Sequence, residues 1–273
     1  MSDLTEKLSL YSTGDSIEAP KSETEIHRAV TVYLVRHGQS EFNVSRRLPG
    51  QLKGIHLTEQ GKKEAADLGN AIQDMPLTAI ISSPLERAYE TAELVRGSHN
   101  LPIYTDERLM DTGMGEWAGQ DVHELAKINP QWAEYVRRPT QPPAGVDGVE
   151  GFYAVLQRVV AAVEAARNNP EYGGHIMFVA HADPIKLIIS HYLRLPIENS
   201  SWLFIPNASM TILAFNGKED PRVKALTWTP APAWLRPSAE PEISAEPLKN
   251  AEQQKNSKPS KNTEQRKKVP AVK

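Results

Sequence analysis

The sequence predicts an α/β fold: a three-layer sandwich with a mostly parallel central sheet flanked by helices. Three observations predict it. Strand-like and helix-like segments alternate through the middle of the chain. Two apolar runs, Val30 to Val35 and His175 to Ala180, have the composition of strands buried on both faces. The intervening segments carry apolar residues at helical spacing.

Taken in order, residues 1–28 are polar and aperiodic, and they read as a flexible arm. Asp3, Glu6, Asp15 and Glu18 break any apolar core there, so the segment is no secretory signal. The first strand ends at Arg36-His37-Gly38. Leu57, Gly61, Ala65, Leu68 and Ile72 then recur at helical spacing, with Thr58 as the cap. Ala79 to Ser82 is a short strand. Ser83-Pro84-Leu85-Glu86 has the spacing of a capping box with proline in the first helical position. Leu85, Ala88, Ala92 and Val95 form the buried face of that helix. Asp121 and Glu124 open a further helix bearing Leu125, Ile128, Trp132 and Tyr135, and Pro139 to Gly145 is a loop. Phe152, Val155, Leu156, Val159 and Val163 stripe the next helix. The strand ending at Ala180 leads through Asp183-Pro184 into a helix along Ile185, Ile188, Ile189 and Tyr192. Ser209 to Phe215 and Val223 to Trp228 are late strands at a sheet edge. The globular domain therefore spans 29–235. Residues 236–273, rich in Pro, Glu, Lys, Asn and Gln, lack the apolar surface to offset ordering and read as a solvated, disordered tail.

Composition excludes several function classes. The chain has 273 residues, 40% of them hydrophobic and 24% charged, enough for a sizeable core. A net charge of -3 offers no field for nucleic acid or an acidic membrane, so neither is an expected partner. There are no cysteines, which excludes disulfides, zinc-thiolate sites and a cysteine phosphatase. No apolar stretch approaches the roughly 18 residues that would span a bilayer. The expectation is a soluble, cytoplasmic protein.

The chemistry is concentrated at strand ends. In an open α/β sheet, ligands bind outside the carboxyl ends of the strands. Arg36 and His37 follow the first strand, Arg87 lies just after the strand ending at Ser82, and His181 follows Ala180. If these strands are parallel neighbours, two arginines and two histidines meet at one edge. Guanidinium forks suit phosphate oxygens. A histidine with an ordinary pKa of about 6.5 has a neutral nitrogen available near pH 7. The cluster therefore reads as a phosphoryl site, with one histidine attacking phosphorus and the other stabilising its oxygens. A metal site fits poorly, because no His-x-His or His-x-x-x-His occurs. There is no P-loop motif either. His27, His56, His99, His123 and His191 read as structural or solvated.

These residues resemble the signature blocks of the histidine phosphatase superfamily, the phosphoglycerate mutase-like fold. Arg36-His37-Gly38-Gln39-Ser40-Glu41-Phe42-Asn43 is similar to its Arg-His-Gly-x-Ser/Thr-x-x-Asn signature. Ser82 to Ala88 with Thr91-Ala92, Leu109-Met110-Asp111 with Gly115 to Gly119, and Val179-Ala180-His181 resemble the later blocks, in family order. The resemblance implies that His37 is the nucleophile that becomes phosphohistidine. It implies that Arg36, Arg87 and His181 bind the phosphoryl group, that Asn43 supports it, and that Gly50 lines the substrate. It also implies catalysis with neither metal nor cofactor. The implied proton donor is Asp111, where relatives usually have Glu, with Glu107 and Glu116 as fallbacks. Ala182 stands where many relatives have Gly and is expected to crowd the pocket. Pro49 stands where some have Ser or Thr. The expected activity is hydrolysis of a phosphorylated small molecule, or of a phosphoprotein. The rivals are a phosphoglycerate mutase, whose second anion Arg46, Arg47 and Lys53 would have to hold, and a non-catalytic phosphate-binding module.

Overall fold

The computed structural model describes residues 28–137, 139–217 and 220–230. The expected arm, up to residue 27, and the expected tail from 236 lie outside the described residues.

One six-stranded sheet organises the chain. Its strands are β1 (Ala29–Arg36), β2 (Ala79–Ser82), β3 (Ile103–Thr105), β4 (His175–Ala180), β5 (Met210–Asn216) and β6 (Arg222–Trp228). They lie in the order β3-β2-β4-β1-β5-β6. The first four are mutually parallel, and β5 and β6 run antiparallel at one side. The mostly parallel sheet flanked by helices is the architecture predicted from the sequence. β3 was not predicted: three residues, two of them exposed, are too short to show a period.

The two faces of β1 follow from strand alternation. Val30, Val32 and Leu34 pack with Phe152, Val155 and Val159 of α6 (Phe152–Asn168) and Ile185 and Ile188 of α7 (Ala182–Tyr192). Tyr33 and Val35 point the other way. They meet Ala65 and Leu68 of α2 (Glu59–Ala71) and Ala88, Ala92 and Val95 of α3 (Glu86–Arg96). Thr58 caps α2 as predicted, accepting a hydrogen bond from the Gly61 N–H. A five-residue helix, α1 (Glu41–Ser45), opens on a Ser40–Asn43 capping box.

Two predicted elements are corrected. The helix read from Asp121 to Tyr135 is two, α4 (Val122–Ile128) and α5 (Pro130–Arg137). Pro130 keeps Asn129 extended, which breaks the run. Ile128, at the break, is exposed, while Leu125 and Tyr135 are buried with Trp117. The capping box at Ser83 does not form either. The cap position is Leu85 with no side-chain bond, and the helix begins at Glu86. Ser83 is used elsewhere, as described below.

The loop after β1 rests directly on α2. A Cβ on Gly61 would lie 2.0 Å from the Gln39 carbonyl oxygen, and one on Gly38 2.4 Å from the Gly61 carbonyl oxygen. Both obstacles are backbone, which cannot swing aside. Gly61→Ala is therefore expected to destabilise the protein by about 1–3 kcal/mol, the usual cost of overpacking. A thermal melt against wild type measures this, and an unchanged midpoint would contradict the close approach.

Candidate active site

Parallel pairing brings the predicted residues to one edge. Arg36 is opposite Ala180 in the β1–β4 register, and Ser82 is opposite Val179 in the β2–β4 register. The three strands therefore release His37, Ser83 and His181 side by side. The His37 N–H donates to the Ala180 carbonyl (3.0 Å), and the His37 carbonyl receives the Ala208 N–H (3.2 Å). The Gly38 N–H donates to Thr91 Oγ1 (3.0 Å), fixing the next residue to α3.

His37 is buried, and its ring centroid is 5.2 Å from that of His181. Its Nδ1 lies 2.7 Å from the Gly38 carbonyl oxygen. A carbonyl only accepts, so Nδ1 carries the proton and Nε2 keeps its lone pair. Burial pushes the His37 pKa well below the ordinary histidine value, and the charges of Arg36 and Arg87 push it further. The ring is neutral at pH 7. His181 is fully buried and shifted the same way, by burial first and by Arg87 next.

Ser83 explains the orientation of His181. Its Oγ accepts the Leu85 N–H (3.3 Å) and lies 2.9 Å from His181 Nε2. The hydroxyl proton is thus available to Nε2, which leaves Nδ1 as an N–H donor. That Nδ1 is buried, has no hydrogen-bond partner, and lies 3.8 Å from Asp111 Oδ2.

Arg87 is fully buried although it stands in the first turn of α3. Its Nη2 donates to the Gly50 carbonyl (2.8 Å) and to Asp111 Oδ2 (3.3 Å). Arg36 is anchored through Nη1 to the Ile205 carbonyl (2.6 Å). In both arginines Nε is buried without a partner. Arg36 Nε, Arg87 Nε and His181 Nδ1 are thus three buried donors left unsatisfied around one edge. Native proteins leave few such groups, because each costs about 1–3 kcal/mol. An oxyanion would supply the acceptors they lack.

Asp111 sits beside these cations, with its side chain 15% exposed. Burial raises its pKa to about 6. Arg87 opposes the rise and Asp183 adds to it. Its main chain is clamped. The Asp111 carbonyl receives Gln51 Nε2 (2.9 Å) and Arg158 Nη2 (2.8 Å), and Arg158 Nη1 donates to the Met110 carbonyl (2.6 Å). Glu150 closes the network, accepting from Arg158 Nη2 (2.8 Å) and from the Gly113 N–H (2.7 Å).

The other predicted residues have different places. Asn43 Oδ1 accepts from the Ser40 N–H (3.0 Å) and from Asn207 Nδ2 (3.2 Å). Asn207 also donates to the His37 carbonyl (3.1 Å), so Asn43 braces the His37 backbone through Asn207. Gly50, at φ +48°, holds Arg87 through its carbonyl; a side chain there would meet Met114. Ala182 opens α7, directly after His181, and is partly buried against the apolar cluster. Glu107 is exposed. Glu116 is also exposed, in a turn whose backbone bonds run to Asp147 and Gln120. Among the described residues no group of three His, Asp or Glu is placed to hold a metal ion.

Sequence reasoning missed Ser83, Gln51, Glu150 and Arg158. Ser83 had a visible signal that was read as a cap. The other three act on backbone carbonyls or on loops far off in the chain, where residue type carries no signal.

The family profile of the histidine phosphatase superfamily (branch 1) matches residues 32–229. The chain is 31% identical over 180 residues to a 2,3-bisphosphoglycerate-dependent phosphoglycerate mutase of Thermoplasma acidophilum, covering 66% of this chain and 84% of that one. Among solved structures, Bacillus stearothermophilus YhfR is similar at 32% identity and a TM-score of 0.66, covering 72% of this chain and 96% of that one. A mycobacterial glucosyl-3-phosphoglycerate phosphatase is similar at 27% identity and a TM-score of 0.64, covering 74% of this chain and all of that one.

Proposed function

The chain belongs to the histidine phosphatase superfamily (branch 1), and from that premise we propose that it is a phosphomonoester hydrolase working through a phosphohistidine at His37. The observation that carries this reading is the trio of unsatisfied buried donors, Arg36 Nε, Arg87 Nε and His181 Nδ1, beside a neutral His37.

The reaction runs in two displacements. The His37 Nε2 lone pair forms a bond to phosphorus as the ester P–O bond breaks. The departing oxygen takes the proton of Asp111, leaving a carboxylate. Water then bonds to phosphorus, the N–P bond breaks, and Asp111 takes the water's proton. The sum is ester plus water giving alcohol plus phosphate. Arg36 and Arg87 hold the equatorial oxygens, and His181 donates to them as charge builds. No metal or cofactor enters any step of this reading. Phosphorylated small molecules are the substrates, with phosphoproteins as a further class, and the cytoplasm is the proposed location.

A pKa of about 6 lets Asp111 serve as acid and base in turn. The acid form dominates below about pH 6, and each pH unit above it removes roughly nine-tenths of the remaining acid. For an alkyl phosphate, kcat/KM should therefore fall as pH rises through 6. The fall should vanish in Asp111→Asn, whereas any step from the substrate's own second ionisation persists in both enzymes. A pH profile identical in shape for the two would remove Asp111 from the role.

The mutase named among the relatives is the rival. Incubation with 3-phosphoglycerate and 2,3-bisphosphoglycerate distinguishes the two. Free phosphate supports the hydrolase, and 2-phosphoglycerate without free phosphate overturns it.

A further inference from the structure

A cavity of about 410 Å³ is lined by Gln51, Lys53, Pro84, Leu85, Glu86, Glu107 and Met110. Its walls continue the candidate site. Gln51 follows Gly50, the anchor of Arg87, and its side chain bonds the Asp111 carbonyl. Glu86 precedes Arg87, and Met110 precedes Asp111. Through Gln51 the cavity reaches the Asp111 main chain, while the side chains of Arg36, His37, Arg87, Asp111 and His181 are not part of its lining.

Its lining carries one cation, Lys53, and two carboxylates, Glu86 and Glu107. Burial pushes the Glu86 carboxyl up, but its own N–H and that of Gly54 outweigh this and hold it below the usual carboxylate range, so it is ionised at pH 7. The other nearby cations are engaged. Arg158 is tied to Glu150 and to three carbonyls. Arg46 lies against His123, and Arg47 donates to the Gly119 carbonyl. Arg36 and Arg87 face the phosphoryl group.

Building on the hydrolase reading above, we propose that this cavity seats the leaving alcohol and selects, through Glu86 and Glu107, a neutral or cationic polar alcohol over one bearing a second acid group. Lys53 offers donors to hydroxyl oxygens. Gln51 Nε2 is spent on the Asp111 carbonyl and Glu150, which leaves its Oε1 as an acceptor for a hydroxyl proton. Leu85 and Met110 cover a short apolar stretch. A carboxylate on the alcohol meets net repulsion there.

Glycerol 3-phosphate and 3-phosphoglycerate make the test, since they differ by a hydroxymethyl against a carboxylate. Each is titrated as a competitor of p-nitrophenyl phosphate hydrolysis by the full chain. Glycerol 3-phosphate is expected to compete about fivefold more tightly, the scale of one partly screened charge pair. Glu107→Gln should narrow that ratio, and Glu107→Lys should bring it to one or invert it. Equal or tighter competition by 3-phosphoglycerate in wild type, no competition by either ester, or a ratio that Glu107→Lys leaves unmoved would overturn the selectivity while leaving the hydrolase intact. Absence of aryl phosphate hydrolysis would remove the hydrolase reading itself, and the selectivity with it.

Discussion

His37→Ala is expected to lower hydrolysis of an aryl phosphate by about 10⁴-fold or more, the scale seen when a covalent nucleophile is removed. The reason lies in three features of one ring. Nδ1 is committed to the Gly38 carbonyl, so Nε2 is the free nitrogen. Burial and two guanidinium groups keep the ring neutral, so the lone pair is present across the working pH range. The backbone on both sides is fixed to Ala180 and Ala208, so the ring cannot retreat. Nothing nearby can substitute, because Nε2 of His181 is turned to Ser83. A second readout accompanies the rate. Wild type quenched without acid after exposure to labelled substrate should carry label on His37, and His37→Ala should carry none. Equal rates in the two proteins would end the covalent mechanism.

The next largest effect belongs to Asp111→Asn, and it depends on the leaving group. Proton transfer to the departing oxygen is worth about 10²–10⁴-fold when that oxygen is basic. An alkyl phosphate should therefore lose activity on that scale, while an aryl ester with an acidic phenol should lose far less in the phosphorylation step. Asparagine preserves the shape and the Thr112 contact, so a difference between esters reports the proton and not the fold. Arg158→Met should give a weaker version of the same signature, because Arg158 holds the Asp111 main chain through its carbonyl. Uniform losses on both esters would assign Asp111 to binding and not to proton transfer.

Much of this was legible in the sequence where the signal is local. The strand ends at Arg36, Ser82 and Ala180 followed from apolar runs that stop abruptly, and the cap at Thr58 from a hydroxyl three residues before a glycine in a helical stripe. The same local logic failed at Ser83. A serine three residues before a glutamate satisfies the capping pattern, but the partner that takes the hydroxyl, His181, is 98 residues away. Pro130 lies inside the apolar stripe from Leu125 to Tyr135, and the stripe alone reads as one helix where there are two. The clamp on Asp111 was beyond reach for a different reason. Arg158 and Glu150 lie on the helix and loop that pass behind it; Arg158 reaches backbone carbonyls and Glu150 a backbone N–H, groups that residue type does not mark. Gly50 was singled out for lining the substrate; that its carbonyl also seats Arg87 had no signal in residue type.

The two halves of the site are made of different material. The phosphoryl half is carried by β1, β2 and β4, which are hydrogen-bonded to neighbours on both sides. The alcohol half is carried by the loops around Gln51 and Glu107, which have no such ladder. Change is therefore inexpensive on one side and ruinous on the other. A lineage can exchange loop residues such as Lys53, Glu107 or Met110 and acquire a new alcohol without disturbing the attack on phosphorus. The same separation marks those loop positions, and not the strand ends, as the ones to randomise when a different phosphate ester is wanted.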